Sequence, residues 1–244
     1  MRTGNEVKDL FNLKYNNINS GVSPGLNDYE ISLYLTEAQR QIVDDYYKGT
    51  PNNNESFEDI ERIRKAISIL VKHNTFTVSL SSTPSTLLYY CYNIEPNNNI
   101  WRVIWEYAIL LDEDNCLNGK RVKSIPVKHD EFDYTIDNPH KSPSNNRVIR
   151  LDLNNTHEIV SKYRMSGYTC RYLEHPKPFV ISDLTVMEDE IGYIPTVENV
   201  STESLCVFDN FVENVIIDRA VELATKDYKE NTLQTQLPMN QRVE

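Results

Sequence analysis

The stretch Phe76-Thr77-Val78-Ser79-Leu80-Ser81 alternates apolar and polar side chains at every step. A period of two is typical of a half-buried strand, and here it follows a region in which apolar residues recur at helical spacing. Strand-length runs continue at Thr86–Tyr92, Trp101–Leu111, Lys120–Val127, Arg147–Leu153, His157–Tyr163 and Tyr168–Leu173. Short turns separate successive runs, so the middle of the chain is predicted to form an antiparallel sandwich or barrel-like part.

Two helices are predicted before this β-rich middle. The first runs from about Asp28 to Tyr47, with Asn27 or Asp28 as N-cap, because either side chain offers an acceptor to the free amides of the first turn. The second begins after Ser56, whose spacing to Asp59 matches a capping box. The loop between them is short, which favours an antiparallel hairpin. The polar, turn-prone residues 10–24 predict a loop before the first helix.

A third long helix is predicted near Cys206–Lys229, capped by Ser201, Thr202 or Ser204. It has one broad apolar face and a second apolar line on roughly the opposite side, whereas a surface helix needs only one apolar stripe. Two interpretations stay open: the helix packs between its own domain and another body, or it is buried inside its own chain. The second line consists of Ile217, Val221, Ala224 and Tyr228.

The sequence therefore predicts an α+β fold, in which the N-terminal hairpin and the C-terminal helix form a helical bundle beside the central antiparallel β-part. The predicted division is residues 1–74 for the hairpin, 75–184 for the β-rich middle, 185–231 for the C-terminal helical part and 232–244 for a flexible tail. The tail is polar and is expected to be ordered only by a partner. The candidate assembly residues are Ile217, Val221, Ala224, Tyr228 and Leu237.

Composition and charge exclude several classes of protein. The 244 residues include 25 Lys and Arg against 36 Asp and Glu, a formal charge of −11. This balance argues against duplex DNA binding, which needs clustered basic residues on the phosphates. No apolar run approaches the roughly 20 residues that span a bilayer, and the first residues lack the apolar stretch of a signal peptide. The four cysteines are irregularly spaced and are typical of reduced, buried thiols.

The chain contains catalytic and metal-binding motifs only in incomplete form. His157-Glu158 begins like a zinc-protease motif, but Ser161 stands where the second histidine is needed. Asp112-Glu113-Asp114 resembles the start of a calcium loop, but Leu117 replaces the turn glycine. There is no glycine-rich phosphate loop and no nucleophile elbow. We therefore expect no enzyme activity, no cofactor and no metal. The third alternative is a hydrolase with an unrecognised acidic pair.

A cluster of aromatic residues leaves a second function open. Tyr and Trp form sugar-binding platforms, but they also cover β-cores and interfaces while keeping a polar tip in water. The core or interface interpretation is favoured, and a tail-associated carbohydrate or receptor-binding module is the alternative. The residues concerned are Tyr89, Tyr90, Tyr92, Trp101 and Trp105.

Three stretches resemble the head–tail connector (ring or adaptor) proteins of tailed phages, especially crAss-like phages. They are the opening at residues 23–40, the segment from Tyr172 to Leu184 and the closing helix at Val215–Ala224. The resemblance covers both ends of the chain but not residues 76–155. It implies a non-enzymatic virion protein, assembled in the host cytoplasm, that forms a ring of about twelve copies below the portal.

The resemblance also implies the partners. These are further copies of the chain, the portal protein, other connector or tail ring proteins, and genomic DNA that passes through the lumen without sequence-specific binding; no membrane contact is expected. A ring repeats one heterologous interface until it closes, which the doubly apolar last helix would suit. Acidic subunits would repel phosphate, so DNA would slide without sticking.

Overall fold

The computed structural model describes residues 2–19, 25–48, 61–80, 89–95, 100–111, 119–153, 156–188 and 193–240. The chain divides into two compact units. The helical unit comprises residues 1–69 and 176–244, and the sheet unit comprises residues 70–175. The prediction of an α+β fold is confirmed, while the four-part domain division made from the sequence stays a prediction.

The described residues form five α-helices and eight strands. The helices are α1 (Gly4–Asn19), α2 (Asp28–Lys48), α3 (Glu61–Ile67), α4 (Phe132–Asp137) and α5 (Asn210–Asn240). The strands are β1 (Val71–Phe76), β2 (Ser79–Leu80), β3 (Tyr90–Ile94), β4 (Ile100–Leu110), β5 (Arg121–Pro126), β6 (Arg147–Leu153), β7 (Thr156–Ser161) and β8 (Met165–Glu174). Short 3₁₀ turns lie at Ser68–Leu70, His129–Glu131 and Leu184–Met187.

Helix α1 includes residues 10–19, which the sequence predicted to lie in a loop. It begins with a capping box: the amide of Thr3 donates to the Glu6 carboxylate at 2.8 Å, and the Glu6 amide faces Thr3 Oγ1 at 3.4 Å. Val7, Phe11 and Tyr15 recur every four residues and are buried. Asn12 and the asparagines at 16, 17 and 19 concealed this spacing, because Asn is a turn residue whose effect packing can override.

Helix α2 begins as predicted. The Glu30 amide donates to Asn27 Oδ1 at 2.8 Å, and the Asn27 amide donates to the Glu30 carboxylate at 2.9 Å, so Asn27 is the N-cap. The helix buries the predicted apolar face, including Ile31, Leu35 and Ala38. The predicted start of the second helix at Ser56 lies outside the described residues, and α3 is described from Glu61.

Helix α5 begins later and ends later than predicted. Its N-cap is Asp209, whose carboxylate accepts from the Val212 amide at 2.9 Å, rather than Ser201, Thr202 or Ser204. Ser204 pairs in an isolated bridge with Val180, which keeps the chain extended there. The helix continues to Asn240, beyond the expected end near residue 229. Whether the tail is flexible outside an assembly stays a prediction.

The segment Phe179-Val180-Ile181 lies along α2. The amides of Phe179 and Ile181 donate to the hydroxyls of Thr36 and Ser32, at 3.0 and 3.2 Å. Gln39 Nε2 donates to the Lys177 carbonyl at 2.8 Å. The two prolines nearby cannot donate to a ladder, so side chains of α2 satisfy this backbone.

The sheet unit contains one mixed sheet rather than the two packed sheets of a sandwich. The strand order is β1-β8-β4-β5-β6-β7-β3-β2. All pairs are antiparallel as predicted except β5 with β6, which is parallel. A parallel pair needs a crossover connection, and here the chain between these strands contains α4. Phe132 and Ile136 pack on Cys91, Ile149 and Val160, and so cover the outer face of the sheet at that point.

The sheet curls strongly. Its two edge strands, β1 and β2, are separated in sequence only by Thr77 and Val78. Because each residue spans at most about 3.6 Å, two residues can bridge opposite edges only if those edges lie close together. The inner face holds the main core, formed by Tyr92, Ile94, Ala108, Leu110, Val122, Val148, Ile159, Met165, Tyr168, Cys170 and Tyr172.

Candidate functional site

The predicted assembly residues of α5 lie mostly inside the helical unit. Ile217, Val221 and Ala224 expose 0%, 2% and 2% of their surfaces. Helix α5 packs against α2 and α1 of the same chain. The chain's own helices therefore account for the second apolar line of α5. A contact of these three side chains with a neighbouring subunit stays a prediction.

The other two predicted residues lie toward the C-terminal end of α5. Tyr228 is half-buried, and Leu237 falls in the last turns of the helix. Burial, followed by Asp227, which precedes Tyr228 in the chain, raises the pKa of Tyr34 to about 12. Tyr34 on α2 and Asp227 on α5 therefore face each other at this end of the helix pair.

Polar contacts fix the other end of α5. Arg2 Nη1 donates to the Asn214 side chain at 2.8 Å and lies 3.1 Å from the Glu213 carboxylate. Lys14 Nζ pairs with Asp218 at 2.5 Å. Burial raises the pKa of Glu213, although Arg2 opposes that shift. The N-terminal helix is thus held to α5 by ionic as well as apolar contacts.

The aromatic residues that suggested a sugar platform do not form one continuous surface. Tyr92 is buried in the core, where its hydroxyl accepts from the Met165 amide at 3.0 Å. Trp101 stacks on His175 with ring centroids 5.0 Å apart. Trp105 has 47% of its surface exposed, and the centroid of its ring lies 4.8 Å from that of the Tyr107 ring. The core or interface interpretation is therefore favoured over the platform.

The strand register places a group of basic side chains beside Trp105 and Tyr107. Arg171 pairs with Trp105, and Tyr107 pairs with Lys123, which in turn pairs with Arg147. Residues paired across neighbouring strands lie on the same face of a sheet. Arg121 lies two residues before Lys123, and its guanidinium lies 5.2 Å from the Tyr107 ring. We call this set the cationic aromatic face: Trp105, Tyr107, Arg121, Lys123, Arg147 and Arg171.

Sequence reasoning missed the cationic aromatic face. Its members come from four strands that lie up to 66 positions apart in the chain. The local signal was the spacing of Arg121 and Lys123, which puts two basic residues on one side of β5. Only the order of the strands shows that the same face of the sheet also carries residues of β4 and β8.

The opposite, inner face carries a buried ionic cluster. Arg150 Nη1 lies 3.0 Å from Glu106 Oε2, and both residues are more than nine-tenths buried. The Tyr168 hydroxyl donates to the same Glu106 carboxylate. Arg150 Nε lies 3.0 Å from Asp152, which also pairs with His157 Nδ1 at 2.7 Å. The cluster joins β4, β6, β7 and β8.

Burial and neighbouring charges shift the pKa values of Arg150, Asp152 and Tyr168 in this cluster. Burial by itself would lower the pKa of Arg150, but the Glu106 and Asp152 carboxylates outweigh burial and raise that pKa. The hydrogen bond from His157 lowers the pKa of Asp152, and Arg150 acts in the same direction. Burial, followed by Glu106, raises the pKa of the Tyr168 phenol. Arg150 therefore stays charged, and the Tyr168 phenol stays un-ionised.

The described residues contain no group of three or more His, Cys, Asp or Glu side chains placed to hold a metal ion. Cys91, Cys170 and Cys206 are buried, and Cys170 and Cys206 are free thiols. Burial raises the pKa of Cys170 and of Cys206 to about 12, the reverse of what a reactive thiolate needs. Among the helices described, none is long and apolar enough to cross a membrane.

Comparison with known proteins assigns the chain to a family. A family model described as phage tail ring protein 3/4 matches residues 2–236. The chain belongs to this family of phage tail ring proteins. The match includes both the helical unit and the sheet unit, and it spans the middle segment for which the sequence alone suggested no relative.

Two curated relatives of this ring protein come from Bacteroides phage crAss001. Ring protein 3 is 34% identical over 228 residues, which cover 91% of this chain and 94% of the relative. Ring protein 4/5 is 28% identical over 247 residues, which cover 98% of this chain and 99% of the relative. The predicted resemblance to crAss-like phage ring proteins is confirmed. Both relatives are named as ring proteins rather than as enzymes.

Proposed function

We propose that this protein is a structural virion subunit that forms a closed ring in the phage neck. The ring lies below the portal, links the portal to the tail and surrounds the channel for DNA. The proposal rests on the family match over residues 2–236 and on 34% identity to Ring protein 3.

The proposed partners follow from this position. Each subunit contacts two neighbours through one heterologous interface, which is what closes a ring. The ring contains about twelve copies and contacts the portal on one side and another ring protein on the other. It assembles in the host cytoplasm and performs no catalysis. With a charge of −11 on each subunit, the ring repels DNA phosphates, so the genome passes without sequence-specific binding.

The decisive experiment is cryo-electron microscopy of purified particles, with the chain located in the neck by fitting both units into the map. A closed ring on the portal axis supports the proposal and gives the copy number. Density for this chain on peripheral tail fibres, or a full neck without this chain, contradicts it.

A further inference from the structure

The two units of this chain carry very different charge. The helical unit has 13 Lys and Arg against 24 Asp and Glu, a formal charge of −11, and the sheet unit has 12 of each, a formal charge of zero. All of the excess negative charge therefore belongs to residues 1–69 and 176–244. The sheet unit is neutral as a whole but carries a basic surface on one side.

That basic surface is the cationic aromatic face. The rows of paired residues that form it also contain His73, Thr75 and Thr169, but no carboxylate. Within the described part of the chain, no carboxylate forms an ion pair with Arg121, Lys123 or Arg171. Arg147 donates to the Ser142 carbonyl at 2.9 Å, which is a neutral partner. Four positive charges thus surround two aromatic rings.

We propose that the cationic aromatic face binds the acidic helical unit of a neighbouring copy in the ring. This inference rests on the proposed function, because it assigns the subunit contact of that ring. Each copy carries both complementary surfaces, one on each unit, so the contact is heterologous and repeats from subunit to subunit. Charge complementarity speeds the encounter and fixes the orientation of the partners.

The composition of the face favours a protein partner over nucleic acid. Trp, Tyr and Arg are the residue types that dominate the binding energy of protein interfaces. Trp105 is half-exposed and lies against Tyr107, and the Arg121 guanidinium lies over the Tyr107 ring. Phosphate binding would oppose the passage of DNA through a ring. DNA binding by this face is therefore the competing outcome that the experiment must detect.

Carbodiimide cross-linking of purified particles tests the contact directly, because this reagent joins amines to carboxylates with no spacer. Covalent dimers of the chain are separated under denaturing conditions, and their linked peptides are compared with those of the monomer. We expect Lys123 to be joined, in dimers only, to Asp or Glu of residues 1–69 or 176–244. Dimers in which Lys123 is joined only within residues 70–175, or not at all, contradict the proposal.

Charge reversal supplies a second measurement with a matched control. Arg121→Glu with Lys123→Glu should lower incorporation of the chain into particles at least tenfold, and Trp105→Ala should have an effect of similar size. The control, Lys128→Glu with Lys162→Glu, makes the same change in charge at exposed positions of the sheet unit outside the face. Far-ultraviolet circular dichroism and thermal unfolding of each purified variant establish that it folds.

The outcomes separate this inference from the proposed function. If the unaltered chain is absent from the neck, the proposed function fails. If the unaltered chain forms a ring and the Arg121→Glu, Lys123→Glu variant is incorporated as well as the Lys128→Glu, Lys162→Glu control, the proposed function is retained. The cationic aromatic face is then not the contact between subunits. If the Arg121→Glu, Lys123→Glu variant instead loses binding to short duplex DNA while its ring is intact, the partner is nucleic acid and the proposal is overturned.

Discussion

Arg150 is a guanidinium inside a sheet core, held between Glu106 and Asp152. A buried ion pair contributes little net stability compared with apolar residues of similar size, because both ions lose their hydration. Removing one partner is different, since the other charge stays buried without compensation. A substitution that removes one partner of this ion pair should therefore lower the stability of the sheet.

We predict that Arg150→Met lowers the free energy of unfolding by roughly 3–5 kcal/mol, because Glu106 is left buried without its partner. The double variant Glu106→Leu, Arg150→Met should recover most of this loss. Urea unfolding followed by fluorescence measures both. Arg164→Met, at an exposed position, is the control; an equal effect of Arg150→Met and Arg164→Met would show that the cluster does not stabilise the fold.

The stability of the protein should depend on pH through Asp152. Its pKa in the folded state is lowered by the His157 hydrogen bond and by Arg150. A lowered carboxyl pKa stabilises the fold fully above the unfolded value of about 4, and this contribution is lost as the pH falls through the folded value. We predict a shallower loss of stability below about pH 4 for Asp152→Asn, measured by urea unfolding. If the free energy of unfolding falls equally steeply with pH in the unaltered protein and in Asp152→Asn, the prediction is wrong.

At the scale of elements, α5 packs inside the helical unit against α1 and α2. The burial of Ile217, Val221 and Ala224 by α1 and α2 accounts for an apolar line that sequence analysis considered as a contact with another body. An Asp substitution at Ile217 would therefore damage the subunit itself as well as any assembly. A conservative truncation is the more informative change.

We predict that Ile217→Ala lowers the free energy of unfolding of the purified subunit by roughly 2–5 kcal/mol, as expected when a buried aliphatic side chain is truncated. The matched control is Ile194→Ala, because Ile194 is 41% exposed, and its effect should be small. Thermal and urea unfolding measure both. A small effect at Ile217 would mean that its side chain contributes little to the packing of α5.

For the whole molecule, the unequal charge of the two units predicts salt-sensitive assembly. Raising NaCl from about 0.05 M to about 0.5 M shortens the Debye length roughly threefold and weakens contacts between exposed charges. We expect the protein concentration needed for half-assembly, measured by light scattering or sedimentation, to rise by about tenfold. The Arg121→Glu, Lys123→Glu variant should show a much weaker salt dependence than the Lys128→Glu, Lys162→Glu control.

The amino-acid sequence by itself determined the features that depend on neighbours along the chain. The alternation at Arg147–Leu153 and the helical spacing after Asn27 predicted a strand and a capped helix, because backbone period and capping are local. The family resemblance at both ends was also visible, since it depends on short stretches. The sequence did not predict the α1 helix, because its asparagines favour a turn. The helix forms because Val7, Phe11 and Tyr15 are buried in the folded helical unit.

The tertiary structure alone decided which distant residues meet. The sequence cannot show that β5 pairs in parallel with β6, because the crossover through α4 is a property of the whole sheet. The same strand order brings Arg121, Lys123 and Arg171 beside Trp105 on the outer face and encloses Arg150 with Glu106 on the inner one. Strand pairing joins residues far apart in sequence, so the cationic aromatic face exists only once the sheet has formed.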